Sequence, residues 1–147
     1  MTETVKVKLL NDLAIFPTFG SYGAAGIDLY AASEYDIIIR PHQTVKIDTG
    51  LAMAIPDGYF GAIYARSGLA TKQGLRPANC VGVVDSDYRG PIIVALHNDS
   101  ETDQTIPSQS RIAQLIISPV PKVNYVEVKE LDETERGEGG FGSTGIK

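Results

Sequence analysis

Residues 44–65 read TVKIDTGLAMAIPDGYFGAIYA, and the way this stretch divides decides the fold. Two runs rich in β-branched and aromatic residues, 44–55 and 59–65, flank Pro56, Asp57 and Gly58. Proline presets the φ of a turn and Asp and Gly complete it, so the stretch reads as two strands joined by a tight connection. The same grammar extends in both directions. Further β-rich runs stand at 4–10, 35–40, 81–84, 91–98, 111–118 and 122–128. Turn clusters separate them, among them FGSYG (19–23), RPHQ (40–43), SDYRG (86–90) and NDSETDQ (98–104). No window of about twelve residues repeats its apolar positions at three and four with caps at both ends. One short helix fits at 67–74, where Gly74 suits a C-terminal cap. Short strands punctuated about every 8–12 residues predict an all-β sandwich or barrel.

A chain of 147 residues can bury one core, so one domain is expected. Its composition, 43% hydrophobic and 21% charged, is near the average for a soluble globular protein. No run approaches the ~20 apolar residues of a membrane span, and MTETVKVKLL lacks the apolar core of a signal peptide. Cys80, in ANCVGVV, has no partner in the chain. It predicts a buried structural thiol in a reducing, cytoplasmic setting, or a nuclear one if the source is eukaryotic or viral. The net charge of −5 argues against long nucleic acid as a partner. The one compositional break falls near Arg136, after the acidic KELDETE. Residues 1–135 are read as a β domain and 136–147 as a flexible Gly-rich arm.

The candidate chemistry begins with exclusions. One Cys and the distant His42 and His97 form no zinc-ligand pattern. The serine of ARSGLA sits in no G-x-S-x-G elbow, and neither histidine has an evident acidic orienter in sequence. The arginines are more informative, because Arg66, Arg111 and Arg136 all lie in segments rich in small residues. In an acidic chain that pattern points to a local anion site, such as one for a phosphorylated small molecule. Asp28, in AAGIDLYAA, is a lone acid in an apolar strand and needs hydrogen-bond or charge partners. Asp85 closes the apolar run of VGVVDSDYRG; it reads either as a hairpin-turn residue or as a working carboxylate. Two such acids with three arginines suit phosphate hydrolysis, one acid activating water and the other serving a hydrated divalent ion.

Five segments in order, AGIDLYA, ARSGLA, GVVDSDYRG, RIAQL and RGEGGFGSTG, resemble the five motifs of the trimeric deoxyuridine triphosphatases. The resemblance runs from about residue 24 to 145 and implies a jelly-roll β-barrel assembled as a homotrimer, with active sites shared between chains. It implies attack of water on the α-phosphorus of dUTP, giving dUMP and pyrophosphate with Mg²⁺. Carried over, Asp85 is the acid that orients and deprotonates the water, and Gln114 stands beside that water and the α-phosphate. Asp28 is the acid near the metal, contacting its water shell. The hairpin from Asn79 through Val84 to Tyr88 would select uracil and deoxyribose, with Tyr88 beneath the sugar. Arg66, Ser67 and Gly68 resemble the phosphate-contacting turn; Ser67 also reads as a helix N-cap. Arg111 resembles an arginine that serves either the substrate or inter-subunit salt links.

The ending GEGGFGSTGIK holds five glycines around Phe141. By resemblance Phe141 stacks over the uracil face, and Arg136, Ser143 and Thr144 contact the γ-phosphate. Glycines such as Gly142 let backbone amides approach phosphate, so the arm reads as a lid. Two departures stand out: Ala65 replaces the family's usual proline, and PSQSRIAQ replaces the usual Gly-Asp before the arginine. A dCTP deaminase on a similar fold is the nearest rival. It needs a catalytic glutamate in the strand after the hairpin, and PIIVALHN has no acid. A non-catalytic nucleotide-sensing trimer is the rival from another class.

Overall fold

The computed structural model describes residues 3–142. Along them run β1 (Lys6–Leu9), β2 (Thr18–Phe19), β3 (Ile27–Tyr30), β4 (Ile37–Ile39), β5 (Thr44–Ala54) and β6 (Tyr59–Tyr64). Then follow α1 (Ser67–Gln73), β7 (Leu75–Pro77), β8 (Gly82–Val84), β9 (Pro91–Asn98), β10 (Gln104–Ile106) and β11 (Arg111–Pro119). The strands pair in the orders β1-β5-β9-β7, β2-β3-β11-β6-β8 and β10-β4. Every pairing is antiparallel. The sheets enclose one core that includes Leu29, Ile47, Leu51, Leu96, Ile112 and Leu115. The protein is thus an all-β barrel of jelly-roll type with one short helix. Among the described residues no helix is long and apolar enough to cross a membrane.

β5 is the frame on which the rest is hung. It pairs with β9 from Thr44↔His97 to Asp48↔Ile93, after which the register shifts and resumes at Ala52↔Pro91. Gly50, at φ 65, sits in this irregularity, and its N–H donates to Asp48 Oδ1 at 2.8 Å. A Cβ at position 50 would lie 2.7 Å from that of Ala14, so only glycine fits. Past the shift Leu51, Ala52 and Met53 are all buried, and β1 pairs with β5 from Leu9↔Leu51 to Lys6↔Ala54.

Asn98 ends β9 and is fully buried. Its amide donates to Ile39 O (2.9 Å) and Thr102 O (2.8 Å), and its Oδ1 accepts from the Ser100 backbone N–H (2.9 Å) and hydroxyl (2.7 Å). A buried polar group must be satisfied, and this one ties the end of β9 to β4 and to the following turn.

The sequence reading departs from the structure in particular places. β2, β7 and β10 were not anticipated: two or three residues are too few to show a period. The run 122–128 forms no strand; residues 120–138 are exposed throughout and join no ladder among the described residues. Cys80 is exposed rather than buried, at φ 62 in the turn whose N–H donates back to Pro77 O. The helix is as expected, with Gly74 at φ 66 donating to Leu69 O. Its N-cap, however, is Arg66, not Ser67, and no side chain caps it.

Candidate active site

Asp28 and Gln114 stand directly opposite each other in the β3–β11 ladder, so their side chains share one face. Between Arg111 and Ala113 the register of β11 slips, and Arg111 comes to lie opposite Tyr30. That bulge brings Arg111 onto the face of Asp28, while Ile112 and Ala113 remain in the core. Asp28 is 9% exposed. One of its oxygens accepts from Arg66 Nε at 3.1 Å and the other from Arg111 Nη1 at 3.3 Å. An enclosed carboxylate needs such partners, and here two guanidinium groups supply them.

Asp28, Arg66, Ser67, Gly68, Arg111 and Gln114 line one open cleft of about 410 Å³, with Gly20, Ala24 and Gly26. Two arginines against one aspartate leave this lining with one net positive charge, in a chain whose net charge is −5. Gln114 Nε2 donates to Ala65 O at 2.9 Å, which fixes the amide beside the start of α1. Its second N–H and the Ser67 hydroxyl find no partner among the described residues, so both remain available to a ligand. Gly26 escaped the sequence reading. A Cβ there would come within 2.9 Å of Leu115 O, so the strand entry lies too close to β11 for any side chain.

A second cleft, of about 230 Å³, collects Asn79, Val84, Asp85 and Tyr88 with Ile63, Gly82, Val83, Pro91, Ile92 and Ile93. Val84 is buried and pairs with Gly61, which seats the hairpin on β6. Beyond it the turn closes through the Tyr88 N–H to Asp85 O at 3.2 Å. The Arg89 guanidinium donates to Ser86 O at 2.6 Å and Tyr88 O at 2.9 Å, bracing the same turn from outside. The Tyr88 hydroxyl donates to Pro91 O at 2.9 Å. Asp85 is exposed at the hairpin tip. The Asn79 amide makes no hydrogen bond among the described residues. Gly82 also went unmarked: a Cβ there would meet that of Ile63 at 3.1 Å and Asn79 Nδ2 at 3.6 Å.

The two clefts share no lining residue. Arg136, Phe141 and Gly142 line neither. Arg136 Nε donates to Gly139 O at 2.8 Å within its own turn, and Phe141 is fully exposed. Ser143 and Thr144 lie outside the described residues. Both histidines do have acidic neighbours, contrary to the sequence reading: His42 Nε2 is 3.1 Å from Glu101, and His97 Nε2 is 3.5 Å from Asp99. Neither histidine lines either cleft. Asp99 also accepts from Arg76, a bond that holds its carboxyl below the usual range. Among the described residues no group of three or more His, Cys, Asp or Glu could hold a metal ion.

The family model for dUTPase matches residues 12–145. A deoxyuridine 5'-triphosphate nucleotidohydrolase of Syntrophotalea carbinolica is 44% identical over 145 residues, 99% of each chain. One from Desulfitobacterium hafniense is 49% identical over 149 residues, covering 98% of this chain and 99% of the relative. Among solved structures, the Staphylococcus bacteriophage 80alpha dUTPase with dUPNHPP is similar at a TM-score of 0.90 and 30% identity. The match covers 99% of this chain and 100% of that one. These matches support neither the deaminase nor the sensor reading.

Proposed function

Because the chain belongs to the dUTPase family, we propose that it hydrolyses dUTP to dUMP and pyrophosphate, water attacking the α-phosphorus. The reaction keeps uracil out of DNA and supplies dUMP for thymidylate synthesis. The observation that carries the reading is the Asp28 carboxylate held between Arg66 and Arg111 beside Gln114. It is a small, net-positive cleft in an acidic protein, suited to a triphosphate and not to a long polyanion.

The working unit is a homotrimer in which the Asp28 cleft of one chain meets the Asp85 cleft of the next. Two observations support this. The clefts are disjoint within a chain, and the β-rich run 122–128, with Val123, Tyr125, Val126 and Val128 exposed, joins no ladder among the described residues, as surface for a neighbour would. Residues 1–135 are the barrel domain, and residues 136–147 form an arm that closes over the nucleotide. There Phe141 stacks on uracil, while Arg136, Ser143, Thr144 and the amide of Gly142 meet the γ-phosphate. The setting is the cytoplasm, or the nucleus if the source is eukaryotic or viral.

Asp85, at the hairpin tip, accepts the proton of the attacking water on a carboxylate oxygen as the water oxygen bonds to the α-phosphorus and pyrophosphate departs. Gln114 orients that water and the α-phosphoryl oxygen through its free N–H. Arg66, Ser67, Gly68 and Arg111 hold the phosphate chain, and the guanidinium groups offset its charge. Uracil offers an acceptor, a donor and an acceptor along one edge, which the Asn79 amide and hairpin backbone match. A 4-amino group would set donor against donor, and a 5-methyl group would clash. Tyr88 packs beneath the sugar where a 2′-hydroxyl would need room.

The donor set fits Mg²⁺ carried by the substrate and not caged by protein. The phosphate cleft contains one carboxylate, Asp28, and Mg²⁺ keeps several waters when phosphates bind it. Asp28 would accept from that water shell, and the ion would offset negative charge on the triphosphate. The test is pyrophosphate release in Mg²⁺ from dUTP, dTTP, dCTP and UTP in parallel. Release from dUTP with little from the other three is expected; no release from dUTP defeats the proposal.

A further inference from the structure

We propose that Gly90 is a positioning residue for sugar selection, acting through Tyr88. By carrying no side chain it leaves the space into which the Tyr88 phenol folds back, and so fixes the wall of the sugar subsite. The inference deepens the dUTPase reading above and rests on it.

The argument starts from what a side chain would meet at position 90. A Cβ there would lie 2.6 Å from Tyr88 Cζ and 3.0 Å from Cε2, and closer still to Oη. Real Cβ atoms do not make such contacts, so the ring would have to move. Glycine is not required here by a positive φ, since Gly90 is absent from the positive-φ glycines among the described residues, Gly50, Gly58, Gly74, Gly137 and Gly142. The three nearest atoms to that position all belong to the Tyr88 phenol.

Tyr88 is tied at both ends of its present position. Its backbone N–H donates to Asp85 O at 3.2 Å and its hydroxyl to Pro91 O at 2.9 Å. Residues 85–91 therefore form a closed turn with the ring folded back over Gly90. Tyr88 as a whole is 44% exposed, so its side chain has solvent to swing into. A methyl group at position 90 thus displaces the phenol and breaks its bond to Pro91 while the barrel stays intact. Gly23, Gly58, Gly68, Gly140 and Gly142 have nothing within 4 Å of the same ideal position, so Gly90 is not merely one of the loop glycines.

Displacing Tyr88 affects selection more than chemistry, because Asp85, Gln114 and the arginines keep their own contacts. The experiment compares wild type, Gly90→Ala, Tyr88→Ala and the double variant, each assayed on dUTP and UTP. For Gly90→Ala the ratio of kcat/KM for dUTP to that for UTP is expected to narrow about tenfold, with KM for dUTP rising and kcat nearly kept. On the Tyr88→Ala background the same substitution is expected to change nothing, because its partner is gone. An unchanged ratio in Gly90→Ala, or an equal effect on both backgrounds, overturns the proposal. If Gly90→Ala does not fold, recovery of folding in the double variant supports the contact, and failure of both variants overturns it. Wild type that releases no pyrophosphate from dUTP defeats the enzyme reading itself and this proposal with it, a result distinct from wild type that is active but indifferent to Gly90.

Discussion

Gln114 faces Asp28 across one ladder step of β3 and β11, and each is pinned from outside that pair, Gln114 by Ala65 O and Asp28 by Arg66. The acid and the amide are therefore both anchored to the same sheet. Asp28→Asn keeps the shape but removes the charge that draws Arg66 and Arg111 inward. The expected result is a folded protein whose kcat/KM for dUTP falls about 10–100-fold, the usual cost of losing an outer partner of a metal site. Steady-state kinetics over a Mg²⁺ titration checks it, and undiminished activity would remove Asp28 from the site.

Asp85 has no structural duty that an amide could not perform. It lies exposed at the tip, and the turn uses its backbone carbonyl, not its carboxylate. Asp85→Asn should therefore fold normally and bind dUTP within a few-fold of wild type. Hydrolysis should slow by at least about 100-fold, the worth of a general base. Calorimetric binding beside single-turnover rates separates the two effects; a near-normal rate would take the base role from Asp85.

Residues 136–142, the described part of the arm, are outside the buried core. Residues 120–138 are exposed, and among the described residues Arg136 bonds only within its own turn. A protein ending at residue 135 should melt at the temperature of the full chain. Its hydrolysis should fall by up to about 100-fold, as expected when a closing segment no longer aligns the reactants. Full activity in the truncated protein would show that the arm is no lid.

Asn98 offers a test confined to stability. Asn98→Ala removes both donors to Ile39 O and Thr102 O and the acceptor for Ser100. Leaving the buried Ile39 O and the part-buried Thr102 and Ser100 groups without Asn98 should cost about 1–3 kcal/mol in chemical denaturation. Neither cleft contains Asn98, so KM for dUTP should not change.

Much of this architecture was legible where the chain alternates over many residues. The long runs of β5, β9 and β11 and the turn at Pro56–Gly58 stand out because a strand of six or more residues repeats its period often enough to be recognised. Asp28 was legible for a different reason: a lone acid among apolar residues is costly unless partnered. Its partners were not, because Arg66 and Arg111 reach it through tertiary packing and a bulge that no local pattern encodes. The same limit hid the glycines. Gly26, Gly82 and Gly90 are ordinary loop or strand glycines in sequence, and only the facing Leu115, Ile63 and Tyr88 show why no side chain is tolerated. Cys80 misled because apolar neighbours suggested burial, whereas a left-handed turn carries the thiol outward.

The central claim is that one site is completed by Asp28 from one chain and Asp85 from another. Subunit mixing measures this directly. Asp28→Asn and Asp85→Asn proteins, each slowed about tenfold or more alone, are unfolded together in equal amounts and refolded, and pyrophosphate release from dUTP is followed. Random trimers with shared sites should recover roughly a quarter of wild-type activity, the fraction of sites that receive both native acids. Activity no higher than the mean of the two parents would mean that each chain builds its site alone, and would contradict the account.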